Sequence, residues 1–130
     1  MAGIYLDTSA LGRVLLGEPG SSSVLAALDA YAQHISSRLL RLELRRLALR
    51  HDLLGNADQL LSAVALVPIT DSVLDAAETI PPTGVATLDA IHLTTAIRLA
   101  RADAIEAVMT YDARLAEGAE HHGIAVLAPA

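Results

Sequence analysis

The chain is predicted to fold as one three-layer α/β/α domain, a parallel sheet covered by helices on both faces. Short apolar runs of strand length alternate with longer stretches whose apolar residues recur every three or four positions. At 130 residues and 53% hydrophobic content the chain can build one core, and no repeat, low-complexity tract or linker divides residues 1–130. Strands separated by helices imply parallel pairing with both sheet faces buried.

Ile4-Tyr5-Leu6 reads as a first buried strand, and Thr8 or Ser9 is placed to cap a helix through Leu11, Val14 and Leu15. Gly17-Glu18-Pro19-Gly20 breaks that helix. A second helix is expected from Ser22 or Ser23, with Leu25, Leu28 and Ala32 on one face, leading to a strand at His34-Ile35-Ser36. From Ser37 to about His51 the spacing of Leu40, Leu44, Leu47 and His51 is helical, with Gly55-Asn56 as its stop. A helix over Asp58 to Ala63 precedes a strand at Leu66 to Ile69, where Pro68 points to a strand end or a sheet edge. Asp71 can cap the next helix, and Pro81-Pro82-Thr83-Gly84 is a loop. Thr87 then caps a long helix to about Arg101. A strand at Ala107 to Thr110, a helix from Ala113 to His122 and a strand at Ile124 to Leu127 complete the pattern.

Composition narrows the chemistry. The chain has no cysteine, which removes disulfides, thiolate zinc sites and cysteine nucleophiles, so any metal must be held by oxygen or imidazole. Phe and Trp are absent and three tyrosines are the only aromatic residues, leaving an aliphatic core. The nine basic residues are all arginine, against fifteen acids, for a formal charge of −6. Such a protein binds nucleic acid poorly unless a cation and a local arginine cluster offset its charge. No long uncharged apolar run suggests a membrane span, and Met1-Ala2-Gly3-Ile4-Tyr5-Leu6-Asp7 lacks the layout of a secretory signal, so the expected location is cytoplasmic.

Four acids stand out by position. Asp7 follows the first strand and Asp112 the fourth, where open parallel sheets place their ligands, although each could simply cap the helix after it. Glu43 lies at the border of the Leu40/Leu44/Leu47 stripe, with an ion pair to Arg46 as its ordinary alternative. Asp89 sits in the first turn of an apolar helix, and His92 is one turn later, where a buried imidazole bonded to backbone is the commoner fate. If the four converge, each pair ~6 Å apart repels by roughly 3 kcal/mol at an effective dielectric near 20. With no lysine to neutralise them, a hard divalent cation, Mg²⁺ or Mn²⁺, suits an all-oxygen set better than zinc.

The blocks Ile4-Tyr5-Leu6-Asp7-Thr8-Ser9-Ala10-Leu11, Ser37-Arg38-Leu39-Leu40-Arg41-Leu42-Glu43, Leu88-Asp89-Ala90-Ile91-His92-Leu93 and Met109-Thr110-Tyr111-Asp112-Ala113-Arg114-Leu115, in that order, resemble the PIN-domain ribonucleases, specifically the VapC toxins of type II VapBC toxin–antitoxin pairs. The likeness extends to the closing Gly123 to Pro129. It implies a PIN-like sheet of order 3-2-1-4-5 and a Mg²⁺- or Mn²⁺-dependent cleavage of RNA phosphodiester bonds. The acids matching Asp7 and Asp89 are the implied metal ligands, with Asp112 a further candidate ligand, and all four, Glu43 included, are the implied catalytic set. Thr8, Ser9, Thr110 and His92 match supporting positions.

By the same resemblance, water is expected to attack the phosphodiester in line with help from the ion, leaving 5′-phosphate and 3′-hydroxyl ends, with Asp112 or Glu43 as the candidate base. A VapB-type antitoxin is the implied partner, and exposed aliphatic residues on the early helices would suit it and a homodimer or a toxin–antitoxin hetero-oligomer. Arg38, Arg41, Arg45, Arg46 and Arg50 are candidate RNA contacts, with a solvated helix face as the alternative. Tyr111 is the ring placed to meet a base. An aspartate-nucleophile phosphatase, a phosphoryl-accepting receiver and a Walker-type site all lean on a lysine this chain lacks. The remaining rival is a catalytically silent PIN-like module that binds antitoxin or RNA.

Overall fold

In chain order, β1 (Gly3–Leu6) is followed by α1 (Thr8–Leu16), α2 (Ser21–Leu28) and β2 (Gln33–Ser37). Next come α3 (Arg38–Arg50), α4 (Leu54–Leu61), β3 (Ala65–Val67), α5 (Asp71–Ala77) and α6 (Thr87–Arg101). β4 (Ile105–Met109), α7 (Ala113–His121) and β5 (Ala125–Leu127) close the fold. This computed structural model describes residues 3–130; Met1 and Ala2, the start of the stretch weighed as a secretory signal, lie outside the described residues. All strand pairs are parallel, in the order β3-β2-β1-β4-β5. Among the described residues no helix is long and apolar enough to cross a membrane.

β1 is the central strand, and its alternation splits the core in two. Ile4 and Leu6 face α1, α3 and α4, where they meet Leu11, Leu40, Leu44 and Met109. Tyr5 faces the other way and packs with Leu93, Val108 and Leu115 beneath α6 and α7. Each aliphatic side chain removed from water here contributes about 1.5–3 kcal/mol, and the near-total absence of aromatic residues makes that repetition necessary. At Gly3 a Cβ would stand 2.6 Å from the Ala104 carbonyl oxygen and 3.1 Å from that of Gln33, so this entry to the central strand has room only for glycine.

Several helix ends differ from the sequence expectation, each for a local reason. The N-cap position of α1 is Asp7, not Thr8 or Ser9, and its side chain makes no cap bond because the carboxylate is used elsewhere. Thr70, not Asp71, caps α5 by accepting the Val73 N–H, and Ala86, not Thr87, occupies the cap position of α6. α3 stops before Asp52, which takes a left-handed backbone at φ 56°, and Gly55-Asn56, expected as the stop, lie inside α4. In α2 the buried face is Val24 and Leu28, while Leu25 is exposed and Ala32 falls beyond the helix. Pro68 does follow the edge strand β3.

Candidate active site

The order of the sheet places β1 beside β4, so the loops after Leu6 and Met109 leave at the same edge and carry Asp7 and Asp112 to one place. The Asp7 amide donates to the Met109 carbonyl at 3.1 Å, locking the two loops together. Asp7 is buried, and its Oδ2 accepts from two hydroxyls, Ser9 Oγ and Thr110 Oγ1, each at 2.8 Å. Those hydroxyl oxygens in turn accept backbone N–H groups from Tyr111 at 2.8 Å and Asp112 at 3.0 Å. One oxygen of Asp7 is thereby fixed by the loop, and Oδ1 is left facing His92, whose Nε2 is 3.8 Å away.

Glu43 reaches the same pocket from α3. Ser37 caps that helix by accepting the Leu39 N–H at 3.1 Å, which sets its start directly after β2. Glu43 Oε1 accepts from Thr8 Oγ1 at 2.8 Å and lies 2.6 Å from His92 Nε2. The alternative ion pair with Arg46 is not found among the described residues. Burial alone would raise the Glu43 carboxyl, but the hydrogen bond and charge of His92, with the Thr8 hydroxyl, outweigh it and hold the group below the usual range.

Asp89 projects from the first turn of α6. No donor bonds its carboxylate among the described residues, and burial first, then the charges of Asp112 and Asp7, push it up to about 6, with His92 pulling the other way and Glu43 adding a smaller push. Asp112, Asp7 and Glu43 therefore lie close enough to Asp89 for their charges to be felt in its ionisation. Asp112 has a double use: its Oδ1 accepts from Arg114 N at 2.9 Å and Leu115 N at 3.2 Å, so it also caps α7.

The donor chemistry fits a hard divalent cation: carboxylate oxygens, no thiolate, and neighbouring negative charge that adds to burial in raising the Asp89 carboxyl. Among the described residues, however, no three acids or histidines already stand in a metal-holding arrangement. Glu43 is bonded to Thr8 and His92, and Asp112 to the start of α7.

The remaining expected residues fall around this pocket. His92 is fully buried, as anticipated, but bonds the side chains of Tyr5 and Glu43, not backbone. Arg46 and Arg50 line an open groove of about 520 Å³ together with Thr8, Glu43 and Leu88. Arg38, Arg41 and Arg45 line an adjoining groove of about 570 Å³ with Arg46 and Leu49, away from the acids. Arg45 is already paired with Asp58. Tyr111 is not a free ring: the Arg13 guanidinium lies over it at 3.6 Å from the centroid, and its hydroxyl donates to the Pro129 carbonyl. Tyr5 and Arg13 are the two neighbours of the site that the sequence reading passed over. A tyrosine in an otherwise aliphatic strand was the available signal for Tyr5, because a buried phenol must find a partner.

Residues 4–121 match the family described as PIN domain. The chain is 35% identical to ribonuclease VapC47 of Mycobacterium tuberculosis, covering 97% of this chain and 96% of that protein. To ribonuclease VapC46 of the same species it is 37% identical, with 99% of each chain covered. A toxin–antitoxin complex from Klebsiella pneumoniae contains a chain of the same fold, with a TM-score of 0.75 at 20% identity over 98% of both chains.

Proposed function

The chain belongs to the PIN-domain family, among the VapC ribonucleases, and on that premise we propose that it is a toxin that hydrolyses RNA phosphodiester bonds at Asp7, Glu43, Asp89 and Asp112 with a divalent cation. The observation that supports this reading is the environment of Asp89, whose carboxyl is pushed up to about 6 by burial first and then by the charges of Asp112, Asp7 and Glu43. Asp7, Asp89 and Asp112 would hold Mg²⁺ or Mn²⁺. When bound, the ion would lower the cost of bringing phosphate to these acids and polarise the phosphoryl oxygen.

The chain's own residues divide the rest of the work. Ser9 and Thr110 keep Asp7 Oδ2 turned into the loop, so that Oδ1 is the atom offered to the pocket. Glu43, held ionised by His92 and Thr8, is the group placed to accept a proton from the attacking water. Asp112, whose Oδ1 likewise meets two donors, the Arg114 and Leu115 N–H groups, is the second candidate for that role. Arg46 and Arg50, in the groove that contains Glu43, offer phosphate contacts to a strand entering the site.

Restraint of such an enzyme calls for an antitoxin of the VapB type. Leu42 and Leu49 on α3 are 58% and 53% exposed beside the arginine groove, a surface suited to an amphipathic partner segment or to a second copy of the chain. To test the activity, antitoxin-free protein is incubated with structured RNA and Mg²⁺ or Mn²⁺, and the product ends are analysed. The proposal expects 5′-phosphate and 3′-hydroxyl ends. Ends bearing 2′,3′-cyclic phosphate would show that the RNA's own 2′-hydroxyl is the nucleophile and would overturn it.

A further inference from the structure

Tyr5 plays no part in the chemistry above, yet its hydroxyl touches the machinery that does. Its side chain is fully buried on the α6 side of the sheet, and its Oη lies 2.6 Å from His92 Nδ1. The other ring nitrogen of His92, Nε2, lies 2.6 Å from Glu43 Oε1. Tyrosine, imidazole and carboxylate thus form one line running from the core beneath α6 to the wall of the pocket. From this geometry we propose that Tyr5 is a positioning residue: by meeting Nδ1 it commits the Nε2–H of His92 to Glu43 and fixes where that carboxylate stands. The inference rests on the ribonuclease reading and deepens it.

Packing alone does not require a phenol here. A phenylalanine would fill the same volume, and an unpaired buried hydroxyl costs about 1–3 kcal/mol. The hydroxyl is fully used instead. Tyr5 Oη accepts the Ser37 N–H at 3.3 Å, at the residue that caps α3 and so sets the helix from which Glu43 projects. With that lone pair engaged, the phenol proton can bond His92 Nδ1 at 2.6 Å. At the other end, a ring nitrogen 2.6 Å from a carboxylate oxygen must carry a proton. Both requirements select the same arrangement: Nδ1 faces Tyr5 and Nε2–H faces Glu43. The rings meet nearly edge-on, with planes 80° apart. Removing the hydroxyl leaves Nδ1 without a partner in the core and loosens the ring that holds Glu43 in place.

The test is nitrogen NMR of the histidine rings in labelled protein, assigned with His92→Gln, alongside single-turnover RNA cleavage by wild type and Tyr5→Phe. Wild-type His92 is expected to carry a proton on Nε2. In Tyr5→Phe the His92 Nδ1 signal should shift as its hydrogen bond is lost, with kcat about tenfold lower, KM little changed and the fold retained. A wild-type His92 protonated on Nδ1 alone overturns the proposal, as does a folded Tyr5→Phe with unchanged ring signals and unchanged kcat. If Tyr5→Phe does not fold, the wild-type spectrum still decides. If wild type cleaves no RNA, the ribonuclease reading fails while the ring spectrum still judges the Tyr5–His92–Glu43 line.

Discussion

Replacing Asp89 with asparagine should stabilise the metal-free protein at neutral pH, an unusual result for a residue assigned to an active site. In the folded chain burial and the neighbouring acids push the Asp89 carboxyl up to about 6, whereas an aspartate in the unfolded chain titrates near 3.9. Between about pH 4 and pH 6 the folded state retains a proton that the unfolded state has lost. Stability therefore falls as pH rises through this window, and the loss is complete above it. At 1.36 kcal/mol per pH unit the gap is about 3 kcal/mol, which solvent screening of a partly wet carboxyl reduces to about 1–2 kcal/mol. Asparagine cannot ionise, so Asp89→Asn should match wild type at pH 4 and exceed it by about 1–2 kcal/mol at pH 7.5. Urea denaturation in chelator at both pH values measures this, with equal slopes showing that the unfolded states are comparable. Mn²⁺ at 100 times its dissociation constant should then stabilise wild type by about 2.7 kcal/mol and the variant by much less. An Asp89→Asn protein that is equally stable or less stable at pH 7.5 in chelator would refute the claim that burial and the neighbouring acids disfavour the ionised Asp89 carboxylate.

Other perturbations report on separate parts of the account. Arg46→Ala with Arg50→Ala should raise KM for RNA several-fold and flatten its salt dependence while leaving metal-free stability within about 0.5 kcal/mol, as cleavage kinetics across a salt series would show. Thr110→Val removes a hydroxyl that bonds Asp7 and the Asp112 amide; it should cost about 1–3 kcal/mol in chemical denaturation and lower kcat. Gly3→Ala forces a Cβ against the Ala104 carbonyl, and a loss of about 1–3 kcal/mol with unchanged end chemistry is expected.

Periodicity and turn residues were sufficient to read the alternation of strands and helices, because buried parallel strands and amphipathic helices leave strong patterns. Helix ends were less legible. Thr8 and Ser9 look like caps, but their hydroxyls bond Glu43 and Asp7, a use that only the folded neighbourhood reveals. Gly55-Asn56 looks like a stop, yet the chain turns earlier at Asp52 and starts α4 in time to carry this pair inside it. Within the site, the positions of Asp7 and Asp112 followed from strand order, while the environment of Glu43 did not. Its partner His92 is 49 residues away, and Tyr5, which meets that histidine, lies a further strand removed. Contacts of that range carry no local signature. Tyr111 shows the reverse case, a ring that looks available in sequence and is covered by Arg13 in the fold.

The claim that the clustered carboxylates form an RNA-hydrolysing site is tested most directly by cleavage rates for wild type, Asp7→Asn and Asp89→Asn on one structured RNA with Mn²⁺, each repeated with excess chelator. The account predicts cleavage by wild type alone, abolished by the chelator, with both variants folded and lowered by at least about 100-fold. Equal cleavage by all three proteins, or cleavage that survives the chelator, would contradict it.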